Sequence, residues 1–236
     1  MKRPRLYFSF RSPYSWLLIQ RLRRDAPHAW AGLEKVPYWE PDEPMAEELA
    51  RRGASIRYAP MSKAKHLYIL QDVKRLSTGL GLTLRWPLDV TPWWEPSHLG
   101  WLVARREGAQ DAYYDAIVAA RWGLGHDISR SEVVAAAAEE AGLDGDRLLA
   151  GAVGEEIRAE GAGCLQRAYD DDVFGVPYLM LGWQRFWGYD RLDAFLDAWE
   201  PARGERDARP PAGSGIPVAI LESGHAFDTD TAGGCG

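Results

Sequence analysis

Cysteine is nearly absent from this chain: its 236 residues carry two, Cys164 and Cys235. Their separation excludes a Cys-x-x-Cys redox pair, and two thiols alone cannot complete a zinc site, so no metal centre is expected. Cys164, in a Gly-Ala-Gly-Cys stretch feeding a helix, reads as a small buried residue rather than a nucleophile. Lysine is scarce too, 5 against 23 arginines, a bias that suits a GC-rich bacterial genome. An excess of positive charge is missing: the formal net charge is -6, which argues against a nucleic-acid partner or a membrane-surface role. No apolar run approaches the length of a membrane-spanning helix. The basic start, Met1-Lys2-Arg3-Pro4-Arg5, is followed by too short and interrupted a stretch for a signal peptide, so a cytoplasmic protein is expected. Internal repeats are lacking as well.

Apolar residues, by contrast, make up 46% of the chain and include eleven tryptophans, enough for a large core with aromatic faces left over to line a cavity. The most informative stretch is Leu6-Tyr7-Phe8-Ser9-Phe10-Arg11-Ser12-Pro13-Tyr14-Ser15-Trp16. Its first five residues predict a buried strand. Ser12 then reads as a helix N-cap with Pro13 at the first helical position, where a missing N–H costs nothing. A hydroxyl at that point either caps the helix or, aided by the positive end of the helix dipole, helps hold an anion or thiolate.

Onward, residues 32–39 predict a second strand, and 40–44 an acidic, proline-broken loop before a short helix over 45–52. Leu67, Leu70, Val73 and Leu76 mark a helix from Ser62 to about Gly79. Leu82 to Pro87 reads as an extended run. Ser97 is expected to cap the next helix, Asp111 to Arg121 forms another, and Ser129 with Glu132 predicts a capping box. Short and longer helices follow over 144–152 and 155–170. Residues 175–182 and 184–187 predict a strand pair, and Asp190 a cap for a last helix, 191–200. The layout is βαβ, a helical block, then ββα. From Pro201 to Gly215 the composition is that of a linker, and Ile216 to Gly236 reads as a tail with one strand-like segment, 217–221.

This layout resembles the DsbA-type thioredoxin folds, with Ser12-Pro13-Tyr14-Ser15 where those oxidoreductases carry Cys-x-x-Cys. The Ser-Pro-aromatic-Ser form is similar to the 2-hydroxychromene-2-carboxylate isomerases and the related kappa-class glutathione transferases. Lys63-Ala64-Lys65 before Leu67-Tyr68, Trp122-Gly123-Leu124-Gly125-His126-Asp127-Ile128, Phe174-Gly175-Val176-Pro177, and Trp187-Gly188-Tyr189-Asp190-Arg191-Leu192 resemble further stretches of that family. The resemblance spans about residues 5 to 200. It implies an α/β thioredoxin-like domain from 1–60 and 171–200, an inserted all-helical domain over 61–170, and an additional tail over 201–236.

The resemblance also implies a cis Val176–Pro177 bond, the only bond type that tolerates cis cheaply. It implies glutathione, or another low-molecular-weight thiol, held by Lys65, Val176, Pro177, Asp190 and Arg191, with Ser12 as the catalytic hydroxyl. Arg11, Tyr14 and Trp93 are the expected contacts to a small conjugated aromatic or polyene acid. The implied reaction is a thiol-dependent cis–trans isomerisation in which the thiolate adds, the former double bond rotates, and the thiol leaves. Disulfide exchange at this site is excluded without a cysteine at position 12 or 15. A kappa-class-like transferase, in which the thiol stays on the product, and a non-catalytic binding protein of the same fold remain open. So do a homodimeric arrangement, the identity of the substrate, and the need for a thiol at all. A serine–histidine hydrolase is the weaker rival, since no histidine sits in a nucleophile-elbow context.

Overall fold

The computed structural model describes residues 3–56, 61–90 and 92–204, with side chains to Glu200. Strand β1 (Arg5–Phe8) leads to helix α1 (Pro13–Asp25), a short α2 (Pro27–Gly32) and strand β2 (Glu34–Pro37). Helices α3 (Glu43–Arg51), α4 (Lys63–Gly79), α5 (Glu95–Arg106) and α6 (Gln110–Val118) follow. α6 runs into a π-helical turn, Ala119–Gly123, before α7 (Ser131–Glu140), α8 (Gly145–Ala152) and α9 (Glu155–Asp170). Strands β3 (Tyr178–Leu181) and β4 (Gln184–Trp187), a 3-10 turn at Tyr189–Arg191 and helix α10 (Leu192–Gly204) complete it.

The sheet order is β2-β1-β3-β4. β1 pairs with β2 in parallel, Tyr7 beside Val36, and with β3 antiparallel, Leu6 beside Leu179. β1 is thus central, and Leu6, Tyr7 and Phe8 are fully buried as a strand covered on both faces must be. The parallel β1–β2 step needs a crossover, which α1 and α2 supply. The βαβ, helical block and ββα order is therefore present, and the fold is a thioredoxin-like α/β sheet with a helical insertion.

Four local expectations are corrected. Ser97 does not cap α5: that helix starts two residues earlier at Glu95, with Pro96 in its first turn, and the Ser97 hydroxyl bonds back to the Trp94 carbonyl from inside the helix. Ser129 forms no capping box, because its Oγ accepts the Trp93 N–H at 2.9 Å while Arg130 occupies the cap position of α7. The extended run at 82–87 joins no strand; its Arg85 N–H goes instead to the Trp122 carbonyl at 2.7 Å. At the last helix, Asp190 lies in the 3-10 turn, and α10 continues past Pro201 to Gly204. The rest of the expected linker, the 217–221 strand and Cys235 lie outside the described residues. Cys164 is buried in α9, and burial pushes its thiol up to about 11, so it is inert at neutral pH.

Candidate active site

The site forms where β1 hands the chain to α1. Ser12 has extended backbone and caps α1: its Oγ accepts the Ser15 N–H at 3.1 Å, and its carbonyl accepts the Trp16 N–H at 3.2 Å. The same hydroxyl donates to the carbonyl of Val176 at 3.2 Å. Val176–Pro177 is a cis peptide, and the Pro177 carbonyl accepts the Gly188 N–H at 3.0 Å. The hydroxyl at the helix N-terminus therefore faces the backbone just ahead of β3. The expected cap is therefore present, and the same hydroxyl is turned toward the Val176 backbone.

Behind Ser12 stands His98, a residue the sequence did not single out. Its Nε2 lies 3.1 Å from the Phe10 nitrogen and 3.1 Å from Ser9 Oγ. A backbone N–H can only donate, so Nε2 is the acceptor and the proton sits on Nδ1, directed at the Trp94 carbonyl at 2.6 Å. Ser9 Oγ in turn accepts the Arg11 N–H. Trp39 stacks on the imidazole at 5.3 Å, and the ring is fully buried. Burial pushes its pKa down to about 3, so the imidazole stays neutral. It acts as a post that fixes the loop from Ser9 to Ser12. Since 88 residues separate it from Phe10, nothing in the local pattern could have marked it.

A cleft of about 1940 Å³ opens in front of Ser12. Aromatic faces of Tyr14, Tyr38, Trp39, Trp86, Trp122 and Phe174 line it. Phe174 is largely exposed at its edge, propped 4.7 Å from Trp187. Arg11, Lys63, His66 and Arg121 bring positive or titratable groups to the wall, and Glu40 and Asp89 bring carboxylates. Arg11 pairs with Glu40 and lies 5.4 Å from the Trp94 ring. The Tyr14 hydroxyl donates to Asp72 at 2.8 Å; burial first, then that carboxylate, raises its pKa and keeps the phenol protonated.

Of the residues singled out from the sequence, Arg11, Ser12, Tyr14 and Val176 share the cleft wall, with Pro177 joined to Val176 by the cis bond. Lys65 is exposed and off the wall, where its neighbour Lys63 stands instead. Asp190 and Arg191 are exposed past β4, paired with each other at 2.8 Å and off the wall. Trp93 lines a separate small cavity of about 60 Å³ with Glu95, Leu99 and Arg158. Among the described residues no three potential metal ligands cluster. No described helix is long and apolar enough to cross a membrane.

A sheet of this order, carrying a serine-capped helix opposite a cis-proline and a helical insertion, defines a class. The chain belongs to the DSBA-like thioredoxin domain family, whose model matches residues 5–200. Within that class it is similar to 2-hydroxychromene-2-carboxylate isomerase of Sphingobium xenophagum, 28% identical over 195 residues that cover 82% of this chain and 95% of the relative. The enzyme of the same name from Pseudomonas putida is 29% identical over 194 residues, covering 79% and 88%. A solved structure of 2-hydroxychromene-2-carboxylate isomerase shares the fold at a TM-score of 0.67 and 24% identity, covering 87% of this chain and 99% of that one.

Proposed function

We propose that the protein is a thiol-dependent isomerase of a conjugated, aromatic or polyene acid, with glutathione or a similar small thiol as cofactor. The observation that carries this reading is the Ser12 hydroxyl, set between the N-terminus of α1 and the Val176 carbonyl beside the cis-proline. Ser12 and the first turn of α1 suit the sulfur end of such a thiol: a hydroxyl donor and a positive helix end both favour the thiolate over the thiol. The bound thiol would supply a nucleophile that adds reversibly to a conjugated carbon, allowing a cis double bond to turn before the thiol departs.

The remaining work falls to this chain. With a thiol at the helix terminus, the Ser12 hydroxyl would turn its proton from the Val176 carbonyl to the sulfur and so favour the thiolate. His98 keeps Ser9 to Ser12 in place without exchanging a proton. The aromatic faces of Trp86, Trp122 and Tyr14 suit a flat apolar substrate and keep water from the reacting carbon. Lys63 and His66, which line the cleft where Lys65 does not, suit carboxylates at the thiol's far end. The chain's sequence similarity to enzymes named as isomerases supports isomerisation over transfer.

Titration with glutathione, followed by tryptophan fluorescence, tests the thiol half of this reading. Saturable binding that weakens about tenfold or more in Ser12→Ala, the loss of one hydrogen bond to a charged group, is expected. Binding indifferent to Ser12, or no binding, removes the thiol from the mechanism.

A further inference from the structure

Arg121 has no role in the chemistry above, yet it is one of the most deliberately housed cations in the molecule. It sits in the π-helical turn, a local widening that often accompanies functional sites, and is 2% exposed on the wall of the Ser12 cleft. Its guanidinium lies 5.0 Å from the Trp94 ring and 4.8 Å from that of Trp122. Both terminal nitrogens donate to the Asp89 carboxylate, Nη1 to Oδ1 and Nη2 to Oδ2, each at 2.9 Å. The third donor, Nε, is buried with no acceptor among the described residues.

The carboxylate partner rests on an unusual support. Asp89 belongs to a stretch without regular secondary structure, and its neighbours Leu88 and Val90 are 81% and 85% exposed. Upstream the stretch is anchored by the buried Pro87 and by Trp86 against Trp122, but the apolar side chains in water on both sides of Asp89 mean that packing does not hold residues 88–90 themselves. What ties Asp89 to the cleft is the two-pronged ion pair. Arginine's planar fork recognises any carboxylate by the same geometry, and aromatic walls strengthen it by excluding water.

We propose that Arg121 is a carboxylate-receiving residue and Asp89 its internal stand-in. A planar aryl carboxylate entering the cleft displaces Asp89 from the guanidinium, and its ring lies against Trp86 and Trp122. Residues 88–90 then release without losing any packing of Leu88 or Val90, while Trp86 and the buried Pro87 stay anchored. This rests on the reading that the Ser12 cleft takes the substrate, but requires no thiol. It makes Arg121 a specificity-determining residue rather than a catalytic one.

The test compares cinnamate with cinnamamide, equal in shape and different in charge, by quenching of tryptophan fluorescence in the full chain without any thiol. Wild type is expected to bind cinnamate about tenfold or more tightly than cinnamamide, the scale of one charged hydrogen-bond pair. Asp89→Asn, which frees the fork, should tighten cinnamate several-fold and leave cinnamamide unchanged, whereas Arg121→Gln should abolish the preference. Arg121→Lys, which keeps charge but not the fork, should retain only part of it. Should Arg121→Gln fail to fold, the Asp89→Asn result still decides. Equal affinities in wild type, or Asp89→Asn weakening both ligands alike, overturns the proposal and leaves a structural ion pair. A cinnamate preference that persists in Ser12→Ala, or in a protein that ignores glutathione, supports the proposal even if the thiol mechanism fails.

Discussion

His98 holds the strand-to-helix loop only as a neutral imidazole, which makes the site sensitive to acid. Unfolded, the side chain titrates near its ordinary value of 6.5; folded, burial pushes it down to about 3. Between those values the unfolded chain takes a proton that the folded one refuses. The His98 contribution is therefore complete above about pH 6.5 and is lost as pH falls toward 3, at up to about 1.4 kcal/mol per pH unit. Urea unfolding at pH 5 and pH 7 should show a larger acid loss in wild type than in His98→Leu. At pH 7 that variant itself should be less stable by about 1–3 kcal/mol for each donor left buried without an acceptor, Phe10 N–H and Ser9 Oγ. At this scale the sequence was half legible. Ser12 announced itself because Ser-Pro ahead of an apolar run is a local signal. His98 could not, because Ser9 and Phe10 reach it from a loop nearly ninety residues earlier, and Lys63 rather than Lys65 lines the cleft because helical phase turns the two to different sides.

Among the elements, helix α9, strand β4 and the start of α1 fall where periodicity and capping chemistry place them. The caps that misled, Ser97 and Ser129, were claimed by tertiary partners: a proline moved one helix start earlier, and the Trp93 N–H took the other hydroxyl. The run at 82–87 has strand-like residues but no neighbouring strand to pair with, and strand propensity is mostly a statement about neighbours. Close helix contacts give a prediction of their own. A Cβ on Gly145, at the start of α8, would meet the Ala135 carbonyl oxygen at 2.8 Å and the Ala135 Cα at 3.0 Å. That neighbour is α7 backbone and cannot swing aside. Gly145→Ala should therefore destabilise by about 1–3 kcal/mol, although alanine is the better helix former by about 1 kcal/mol in an open helix. Thermal or urea melts read the sign directly, and a stabilised variant would mean that α7 and α8 can separate at no cost.

Over the whole molecule, the helical insertion is tied to the sheet domain by a polar joint around one buried carboxylate. Glu95 of α5 is fully buried and accepts from Arg158 of α9 at 2.6 Å, while Arg158 also reaches Asp42, the N-cap of α3, at 2.9 Å. Removing the cation leaves Glu95 without its charge partner. Arg158→Met should cost about 3 kcal/mol or more, against about 1 kcal/mol or less for Arg130→Met, whose pair with Glu132 is exposed. Denaturant midpoints for the two variants check this, and equal losses would make the joint no stronger than a surface pair. The fold was legible at this scale because the order of strands and helices and the Phe-Gly-Val-Pro stretch act together; how the cleft is furnished was not, since its walls gather residues from across the insertion. The most direct measurement is the absorbance of a conjugated cis-aryl acid incubated with the protein and catalytic glutathione. The expected result is conversion to the trans isomer that saturates with glutathione, leaves all thiol titratable at the end, and falls about a hundredfold or more in Ser12→Ala. Stoichiometric loss of thiol, or a rate indifferent to glutathione and to Ser12, would contradict it.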